Sequence, residues 1–517
     1  MEFYEYNSII GSYGHNARRT GVPVLPEWPF KSVLIANRGE IALRIVRSVQ
    51  RLGLRAVVVH HAVDADSPAV RRADLAVEIT GATPVAAYLD GAQIIAAAVK
   101  AGAGAVHPGY GFLSENASFA RACRAAGLVF IGPTPEVIET MGDKVTARAF
   151  VERGGFPVAP SAIEDDEPAS FNARAAAVGF PLLIKPAAGG GGKGMRIVRD
   201  PALLASEIER ARSEGQRYFG DGRLYAECFI ENPRHVEVQV LGDTHGKVVH
   251  LHERECSVQR RFQKIVEETP SPALTPELRR EICAVAAGIA RAAGYTNAGT
   301  VEFIFGASKF YFLEMNTRLQ VEHPVTEEVL GIDLVEQQLR VAAGEPLAFT
   351  QDDLQARGHA IEFRIYAEDA AAGYLPTTGA ILALHEPQGA GIRVDSGVRA
   401  GQDVTAAFDP MLAKLIVHAP TRDAAIALGQ RALHDYVLLG CKTNIGFLRR
   451  LLAHTAFGAG EIHTGFLDAH PEVAAEPAIT PALLHKLLAV AALTSRRLRD
   501  AADAVPALHA AIGAWRN

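Results

Sequence analysis

From about Phe30 the chain alternates between short apolar strands and amphipathic helices, and this alternation is the strongest constraint on its fold. Strands are predicted at 32–36 and 54–60, with a helix between them that ends at Gly53. Another helix and two more strands are predicted at 91–101, 105–107 and 128–132. Repeated β-α-β units place parallel strands in one sheet with helices on its faces. The first part of the chain is therefore predicted to be an α/β domain.

From about Phe156 the pattern changes to antiparallel α+β. Further elements are predicted in order: strands at 181–185, 195–198, 224–229, 235–241 and 247–252, helices at 201–212 and 276–293, a hairpin at 300–305 and 310–315, and one helix at 325–343. Short strands and helices mix from His359 to about Leu448, and an Ala/Leu-rich helical segment ends the chain. The fold class is therefore mixed α/β and α+β.

The composition is typical of a water-soluble globular protein. The chain has 517 residues, of which 49% are hydrophobic and 21% are charged, and its net charge of −6 argues against general nucleic-acid binding. Its five cysteines form no C-x-x-C pair, which argues against a zinc cluster or a disulfide framework and favours a cytoplasmic location. No apolar stretch is long enough for a membrane helix, and residues 1–29 do not resemble a secretory signal.

A run of four glycines between lysines is the first candidate for a functional site. Gly189–Gly192 follow Lys185 and precede Lys193. Bare backbone N–H groups can approach an anion closely, and flanking cations suit a triphosphate. The spacing is neither that of a P-loop nor that of a dinucleotide-binding loop. The alternative is a flexible hairpin tip, since consecutive glycines lose much conformational entropy when they are ordered.

The predicted hairpin carries oxygen ligands. Glu314 and Asn316 are two residues apart and therefore share a strand face, away from Leu313 and Met315, while Glu302 lies on the partner strand. A set of oxygen ligands suits Mg²⁺ or Mn²⁺ bridging nucleotide phosphates, rather than zinc. The alternative is a solvated polar face on an edge hairpin.

Beyond the hairpin, Arg318, Gln320 and Glu322 continue the two-residue spacing. An arginine, an amide and a carboxylate together can bind a small planar oxyanion and remove its proton. A neighbouring arginine would lower the pKa of Glu322 and keep it ionised as a base. The alternative is a structural ion pair.

A basic run occupies 257–264 and is followed by Glu267 and Glu268. Charged runs usually lie on a solvated face of a protein. Taken alone, this run is therefore predicted to be exposed.

Together these motifs resemble the biotin carboxylase component of biotin-dependent carboxylases, which has the ATP-grasp fold. The resemblance runs from about Phe30 to His470 and includes the glycine loop and the segments 37–42, 107–116, 141–144, 259–261, 314–324 and 409–414. It implies a domain order of an extension at 1–29, a preceding α/β domain at 30–143, an ATP-grasp domain at 144–345 with a lid at about 159–231, a C-terminal domain at 346–470 and a helical tail at 471–517.

The resemblance implies ATP- and bicarbonate-dependent carboxylation of biotin through carboxyphosphate, with Mg²⁺ or Mn²⁺. The residues implied for ATP are Lys144, Lys185, Gly189, Gly190, Gly191 and Gly192 at the phosphates, Glu227 and Ile230 at the adenine, and His235 and Gln259 near the ribose. Those implied for the metal ions are Glu302, Glu314 and Asn316. Those implied for bicarbonate are Lys264, Arg318, Gln320 and Val321, with Glu322 as the general base and Arg364 stabilising the biotin enolate.

Two positions depart from the family pattern. Phe262 stands where many relatives carry His or Asn beside the nucleotide, and Cys228 stands where some carry Lys next to the adenine. The first change removes a hydrogen bond to the ribose. We therefore predict weaker ATP binding, and unchanged binding in Phe262→His would contradict this prediction.

The resemblance also implies partners. A biotin-accepting domain carries Met-Lys-Met, but none of the five methionines here is followed by Lys. The biotin carrier and the carboxyltransferase are therefore expected on other chains, and a homodimer is a further expectation. Residues 365–369 and the tail after His470 resemble acyl-CoA carboxylase α subunits of the propionyl-CoA and methylcrotonyl-CoA type.

Two alternatives stay open within this interpretation. One is another ATP-grasp ligase, such as a carbamoyl-phosphate synthetase module or a purine-pathway carboxylase, although the run 259–261 and the spacing of Arg318, Gln320 and Glu322 favour biotin. The other is a catalytically silent nucleotide-binding module, which would be expected to lose metal-binding or base residues.

Overall fold

A parallel five-stranded sheet with strand order β3-β2-β1-β4-β5 begins the fold in the computed structural model, which describes residues 28–164, 168–186, 195–219, 222–261 and 263–494. Its elements are β1 Ser32–Ile35, α1 Gly39–Arg51, β2 Arg55–His60, α2 Pro68–Arg72, β3 Leu75–Glu78, α3 Pro84–Leu89, α4 Gly91–Lys100, β4 Ala105–His107, α5 Ala117–Ala125, β5 Val129–Phe130 and α6 Pro135–Gly142. The alternation of strand and helix predicted this parallel sheet correctly, and the central strand β1 is buried along its whole length.

A small antiparallel sheet follows, with strand order β6-β9-β7-β8 and its own apolar core under two helices. Its elements, together with the helix that leads into it, are α7 Lys144–Arg153, β6 Ser161–Ile163, α8 Pro168–Ala177, β7 Leu182–Pro186, β8 Arg196–Val198, α9 Leu204–Phe219 and β9 Leu224–Cys228. We call residues 159–231 the lid. The predicted phosphate loop at 189–192 lies outside the described residues, as do Phe262, the extension up to residue 27 and the tail from residue 495.

An eight-stranded antiparallel sheet with strand order β14-β13-β10-β11-β12-β15-β22-β20 forms the centre of the molecule. Its first half contains β10 Arg234–Gly242, β11 Val248–Arg260, β12 Gln263–Thr269, α10 Pro276–Ala292, β13 Asn297–Gly306, β14 Lys309–Asn316, α11 His323–Leu330 and α12 Leu334–Ala342. Helix α10 buries apolar side chains such as Ile282 and Ile289 against this half.

The same sheet continues into the last part of the chain through pairing of β12 with β15. The elements there are β15 His359–Tyr366, β16 Glu368–Asp369, β17 Leu375–Pro376, β18 Gly379–Ala380, β19 Ala383–His385, β20 Ile392–Ser396, β21 Asp403–Val404, β22 Met411–Ala419, α13 Arg422–Asp435, β23 Val437–Leu439, α14 Ile445–Ala453, α15 Thr455–Gly458, α16 Phe466–Ala469 and α17 Pro481–Thr494. One continuous sheet therefore connects the hairpin β13–β14 to the strand that carries Arg364.

One predicted helix differs from the structure, and one strand contains a bulge that the sequence does not predict. The helix predicted at 325–343 is two helices, α11 and α12, because Gly331 adopts a left-handed backbone with φ of 67° and ends the first one. Leu313, which the sequence places on the same side of the strand as Met315, is 45% exposed because a bulge in the β13–β14 pairing follows Glu302. Among the helices in the described part of the chain, none has both the length and the apolar character that a membrane crossing requires.

Candidate active site

A cavity of about 670 Å³ lies where the parallel sheet, the hairpin β13–β14 and the last part of the chain meet. The charged and amide side chains that line it come from all three regions: Asn37, Arg38 and Glu40; His235, Gln263, Lys264, Glu302, Glu314, Asn316, Arg318 and Gln320; and Arg364 and Asp409. Side chains that are far apart in sequence therefore converge on one space, which is the first requirement for a site that handles several substrates.

Glu302 contacts several polar side chains on the hairpin side of this cavity. Glu302 pairs with Glu314 across the two strands, and Asn316 lies two residues after Glu314. Asn316 Nδ2 donates to Glu302 Oε1 at 2.7 Å, Gln320 Nε2 donates to the same oxygen at 3.1 Å, and His235 Nε2 lies 2.7 Å from Oε2. The two amide nitrogens thus point at Glu302, while the amide oxygens of Asn316 and Gln320 accept hydrogen bonds from Arg318.

Lys264 contacts three buried carboxylates at once. Its Nζ lies 2.5 Å from Glu237 Oε2, 2.9 Å from Glu302 Oε1 and 2.6 Å from Glu322 Oε1. Burial alone would lower the pKa of Lys264, but Glu237, then Glu302 and Glu322, raise it well above its usual value. The lysine is therefore held charged, and it joins the hairpin to Glu322.

Glu322 lies fully buried between two cations. Arg364 Nη2 donates to Glu322 Oε2 at 3.0 Å, and Lys264 holds Oε1. Burial would raise the pKa of Glu322, yet Lys264 and then Arg364 outweigh this effect and hold the pKa well below its usual value. The carboxylate is therefore ionised at neutral pH and able to accept a proton.

Arg364 is shared between Glu322 and a second buried carboxylate, Glu267. Its Nε donates to Glu267 Oε1 at 2.6 Å, and Glu267 Oε2 has no hydrogen-bond partner among the described residues. Burial raises the pKa of Glu267 to about 7, although Arg364 acts in the opposite direction. One of the two carboxylates beside Arg364 is thus ionised and the other titrates near neutrality.

Arg318 connects the hairpin to the parallel-sheet domain. Its Nε donates to Glu115 Oε2 at 2.8 Å, its Nη2 to Asn316 Oδ1 at 2.9 Å and its Nη1 to Gln320 Oε1 at 3.1 Å. The guanidinium is 19% exposed and faces the cavity, so it remains accessible to a planar anion.

Two further lysines, one in the lid and one in the helix before it, each contact one described carboxylate. Lys185 Nζ lies 2.7 Å from Glu227 Oε1, and Lys144 Nζ lies 2.6 Å from Glu314 Oε2. Lys144, Glu314 and Asn316 line a second cavity of about 470 Å³ that adjoins the hairpin. Lys185 is 35% exposed and Lys144 is 76% exposed, so both can exchange partners readily.

Protein-family models match the chain in three consecutive segments. They are described as the biotin carboxylase N-terminal domain at residues 29–138, the carbamoyl-phosphate synthase L chain ATP-binding domain at residues 143–350 and the biotin carboxylase C-terminal domain at residues 362–469. A biotin carboxylase of Halalkalibacterium halodurans is 50% identical over 449 residues, covering 86% of this chain and 98% of that protein. The chain belongs to the biotin carboxylase family.

Other relatives of the chain come from different carboxylases. The α subunit of rat mitochondrial methylcrotonoyl-CoA carboxylase is 44% identical over 485 residues, covering 90% of this chain and 68% of that protein. The biotin carboxylase domain of Hydrogenobacter thermophilus 2-oxoglutarate carboxylase matches with a TM-score of 0.78 at 43% identity, covering 87% of this chain and 99% of that one. That crystal structure is a dimer with MgADP, ADP and bicarbonate. The ATP-grasp fold predicted from the sequence is therefore confirmed.

The structure brings most of the predicted site residues together. The predicted residues that line the main cavity are Lys264, Glu302, Glu314, Asn316, Arg318, Gln320, Val321, Arg364 and His235. Glu322 contacts two of them, Lys264 and Arg364. Lys185, Glu227, Ile230 and Gln259 are not among the described residues that line it. Gln259 instead donates to the carbonyl oxygen of Cys256 at 3.4 Å, and Cys228 is half-buried at the end of β9.

The prediction that the basic run and the two glutamates after it are exposed is wrong for its most important members. Lys264 is 12% exposed, and Glu267 and Glu268 are buried, because residues 263–269 form the inner strand β12 of the eight-stranded sheet. Inner strands are usually apolar, so these charges are tolerated only where each one has a partner.

Sequence reasoning missed four charged residues around the site. Glu237 and Arg254 form a fully buried ion pair at 2.5 Å across β10 and β11, Glu267 holds Arg364, and Glu115 holds Arg318. Glu237 lies between Val236 and Val238 on its strand, which is a weak signal of an inward-facing charge, whereas Arg254 lies between Glu253 and Glu255 and gives no such signal. The other two partners depend on contacts between distant segments, which no local pattern predicts.

Proposed function

We propose that this chain catalyses the ATP- and bicarbonate-dependent carboxylation of biotin on a separate carrier protein or domain, through carboxyphosphate. The observation that carries the proposal is the position of Glu322, an ionised buried carboxylate between Lys264 and Arg364 beside the cavity. Lys264 and Arg364 both line the cavity, so they hold the Glu322 carboxylate ionised at the place where an anion would bind.

Bicarbonate is a weak nucleophile until its remaining proton is removed. We place it against Arg318, Gln320, Lys264 and the backbone of Val321, within reach of Glu322. Arg318 offers the planar fork that suits a carbonate oxyanion, and Glu322 accepts its proton. The resulting dianion attacks the terminal phosphorus of ATP, so that a C–O–P linkage forms and ADP leaves.

Nucleotide binding is assigned to the lid side. Lys144, Lys185 and residues 189–192 would contact the phosphates, Glu227 and Ile230 the adenine, and His235 and Gln259 the ribose. Lys185 and Lys144 each have a single described carboxylate partner and considerable exposure, which allows them to turn to a triphosphate. Closure of the lid would exclude water from the labile carboxyphosphate.

A divalent cation fits the hairpin. Glu302 and Glu314 face each other across β13 and β14, and Asn316 lies on the same edge, which gives an oxygen donor set for Mg²⁺ or Mn²⁺. When bound, such an ion would screen the phosphate charges during transfer. His235 Nε2 and Lys264 Nζ already neutralise Glu302, so this carboxylate stays ionised and ready to act as a ligand.

Carboxyphosphate then breaks down to CO₂ and phosphate, and the phosphate accepts the ureido proton of biotin. Arg364, which lines the cavity and is fixed by Glu267, would offset the negative charge of the biotin enolate. The enolate nitrogen attacks CO₂ to give carboxybiotin. Each proton in this sequence has an acceptor within the site, so no further acid or base is needed.

The test is ATP hydrolysis by the full chain with and without bicarbonate, and with and without free biotin. Hydrolysis that requires bicarbonate and rises on addition of biotin supports the proposal. Hydrolysis that depends on neither bicarbonate nor biotin would contradict the proposal and would favour another ATP-grasp activity.

We propose further that the reaction is the first half of an acyl-CoA carboxylase and that a carboxyltransferase subunit completes it. The support for this proposal is that methylcrotonoyl-CoA carboxylase α subunits are among the relatives, with the rat protein 44% identical over 485 residues. Relatives also include one of the subunits of a pyruvate carboxylase from Methanothermobacter thermautotrophicus at 47% identity, so a 2-oxo acid is the second candidate acceptor. We also propose a homodimer, as in the Hydrogenobacter thermophilus structure.

Carboxyl transfer from labelled carboxybiotin distinguishes these acceptors. The chain, purified together with its biotinylated and carboxyltransferase partners, is expected to label an acyl-CoA but neither pyruvate nor 2-oxoglutarate. Label in a 2-oxo acid would replace the acyl-CoA proposal while leaving the biotin carboxylation step intact.

A further inference from the structure

Lys414 is a fully buried lysine that the reaction described above does not use. It lies on β22, and strand pairing sets it beside Arg364 on β15 and Asp395 on β20. It is not among the described residues that line the main cavity. Two cations side by side on neighbouring inner strands repel each other, so the position of Lys414 requires a specific partner.

That partner is the backbone of the segment proposed to bind bicarbonate. Lys414 Nζ donates to the carbonyl oxygen of Val321 at 2.8 Å, and the same Nζ lies 3.4 Å from Glu40 Oε2. Glu40 is in the first turn of α1, in the parallel-sheet domain, and neither of its oxygens has a hydrogen-bond partner among the described residues. One ammonium group therefore joins three regions of the chain next to the site.

The segment 317–322 connects β14 to α11 without belonging to either element. Both residues that flank Val321 carry side chains that are proposed to act on bicarbonate. A hydrogen bond from a charged donor to a backbone carbonyl is stronger than one between neutral groups. By fixing the peptide after Val321, Lys414 restricts the backbone from which Gln320 and Glu322 project.

We propose that Lys414 is a positioning residue for bicarbonate: through the Val321 carbonyl it sets the backbone of 318–322, with the carboxylates of Asp395 and Glu40 beside it. The inference rests on the proposed function, because it assigns a purpose to a segment that only bicarbonate chemistry requires. It also predicts that contact between the parallel-sheet domain and β22 is linked to bicarbonate affinity and not to nucleotide affinity.

The experiment compares Lys414→Met with the unaltered chain in ATP hydrolysis at varied bicarbonate, together with ADP binding by calorimetry. The KM for bicarbonate is expected to rise by about ten-fold or more, since small misplacements of a positioned group have large effects, with kcat changed much less. The dissociation constant for ADP is expected to stay within about two-fold, which a general loss of structure would not allow.

Lys442→Met is the matched control. Lys442 is also in the last part of the chain and also pairs with a carboxylate, Asp369 at 2.7 Å, but it is half-exposed and distant in sequence from the site strands. It is expected to leave both constants unchanged. Lys414→Gln, which keeps a donor without the charge, is expected to give an intermediate KM for bicarbonate and serves if Lys414→Met does not fold.

An unchanged KM for bicarbonate in folded Lys414→Met, or an equal loss of ADP affinity, would overturn the inference. Failure of both Lys414 variants to fold would also overturn it, because Lys414 would then support the whole fold. If the unaltered chain hydrolyses ATP without any need for bicarbonate, the proposed function fails and this inference fails with it.

Discussion

The hairpin side of the cavity and the lid hold their lysines in opposite ways. Among the described residues, Lys264 is 12% exposed and contacts three carboxylates, whereas Lys185 is 35% exposed and contacts one, Glu227. The first arrangement cannot rearrange without leaving buried charges unpaired, which is costly. The second can exchange its carboxylate for a phosphate at little cost. This contrast supports the proposal that the hairpin side is a rigid acid–base half of the site and the lid an adaptable nucleotide-binding half.

The largest effect is expected for Glu322→Gln, which removes the base and keeps its shape. Bicarbonate-dependent ATP hydrolysis is expected to fall by about a thousand-fold, because an amide cannot accept the bicarbonate proton. ADP affinity, measured by calorimetry, should be unchanged since the lid is not altered. Glu277→Gln, at an exposed glutamate in α10, is the control. Near-normal hydrolysis in Glu322→Gln would show that the rigid half does not supply the base.

Lys264→Met is expected to have the next largest effect, and it acts on stability as well as activity. It leaves Glu237, Glu302 and Glu322 without their shared cation, so we expect a loss of about 3 to 5 kcal/mol in the free energy of unfolding. Lys144→Met, at a 76% exposed lysine with one partner, should cost less than about 1 kcal/mol. Denaturant unfolding of both variants checks the comparison, and equal losses would contradict it.

A pH effect of opposite sign to the usual carboxylate behaviour is expected at Glu267. Because burial raises its pKa to about 7, the folded chain keeps a proton that the unfolded chain releases, so Glu267 lowers stability as pH rises toward 7. Glu267→Gln removes this dependence. The free energy of unfolding of Glu267→Gln minus that of the unaltered chain should therefore increase by about 2 kcal/mol from about pH 5 to about pH 7. It should stay constant at higher pH.

Denaturant unfolding of Glu267→Gln and the unaltered chain at several pH values provides this measurement. The low pKa of Glu322 has the opposite effect on the free energy of unfolding in both proteins. It stabilises the fold above the pKa that Glu322 has in the unfolded chain, and this stability is lost only in strong acid. It therefore cancels in the difference. A difference that does not vary with pH would show that Glu267 is ionised throughout the range.

The smallest effect among these variants is expected for Lys185→Met in the lid. The KM for ATP should rise by about ten-fold, through loss of one charge-assisted contact to phosphate, while the KM for bicarbonate should not change. Steady-state hydrolysis at varied concentrations of each substrate checks this. If the KM for bicarbonate rises in parallel, the two halves of the site are coupled more tightly than the contacts of Lys185 indicate.

The sequence predicts well those parts of the molecule that local patterns control. Strand alternation predicted the parallel sheet, and the two-residue spacing predicted that Glu302, Glu314 and Asn316 share an edge of the hairpin. In both cases the apolar neighbours of each residue determine which way it points. The bulge at Leu313 and the break at Gly331 were missed, because each depends on the backbone conformation of one position.

Partners that come from distant segments could not be predicted. Glu115 reaches Arg318 across 203 residues of sequence, and Lys414 reaches the Val321 carbonyl across 93. The charges of β12 look solvated in the sequence because nothing local shows that Arg364 and Arg422 lie opposite Glu267 and Glu268. A buried charge is tolerated only when its partner is present, and the partner is set by the tertiary fold.

An oxygen atom of bicarbonate is proposed to attack the terminal phosphorus of ATP in this cavity, and every other step depends on that attack. Hydrolysis of ATP by the full chain in bicarbonate labelled with heavy oxygen, followed by mass analysis of the phosphate, tests it directly. We expect each phosphate released to carry one labelled oxygen derived from bicarbonate. Phosphate whose new oxygen comes only from water would contradict the proposed chemistry.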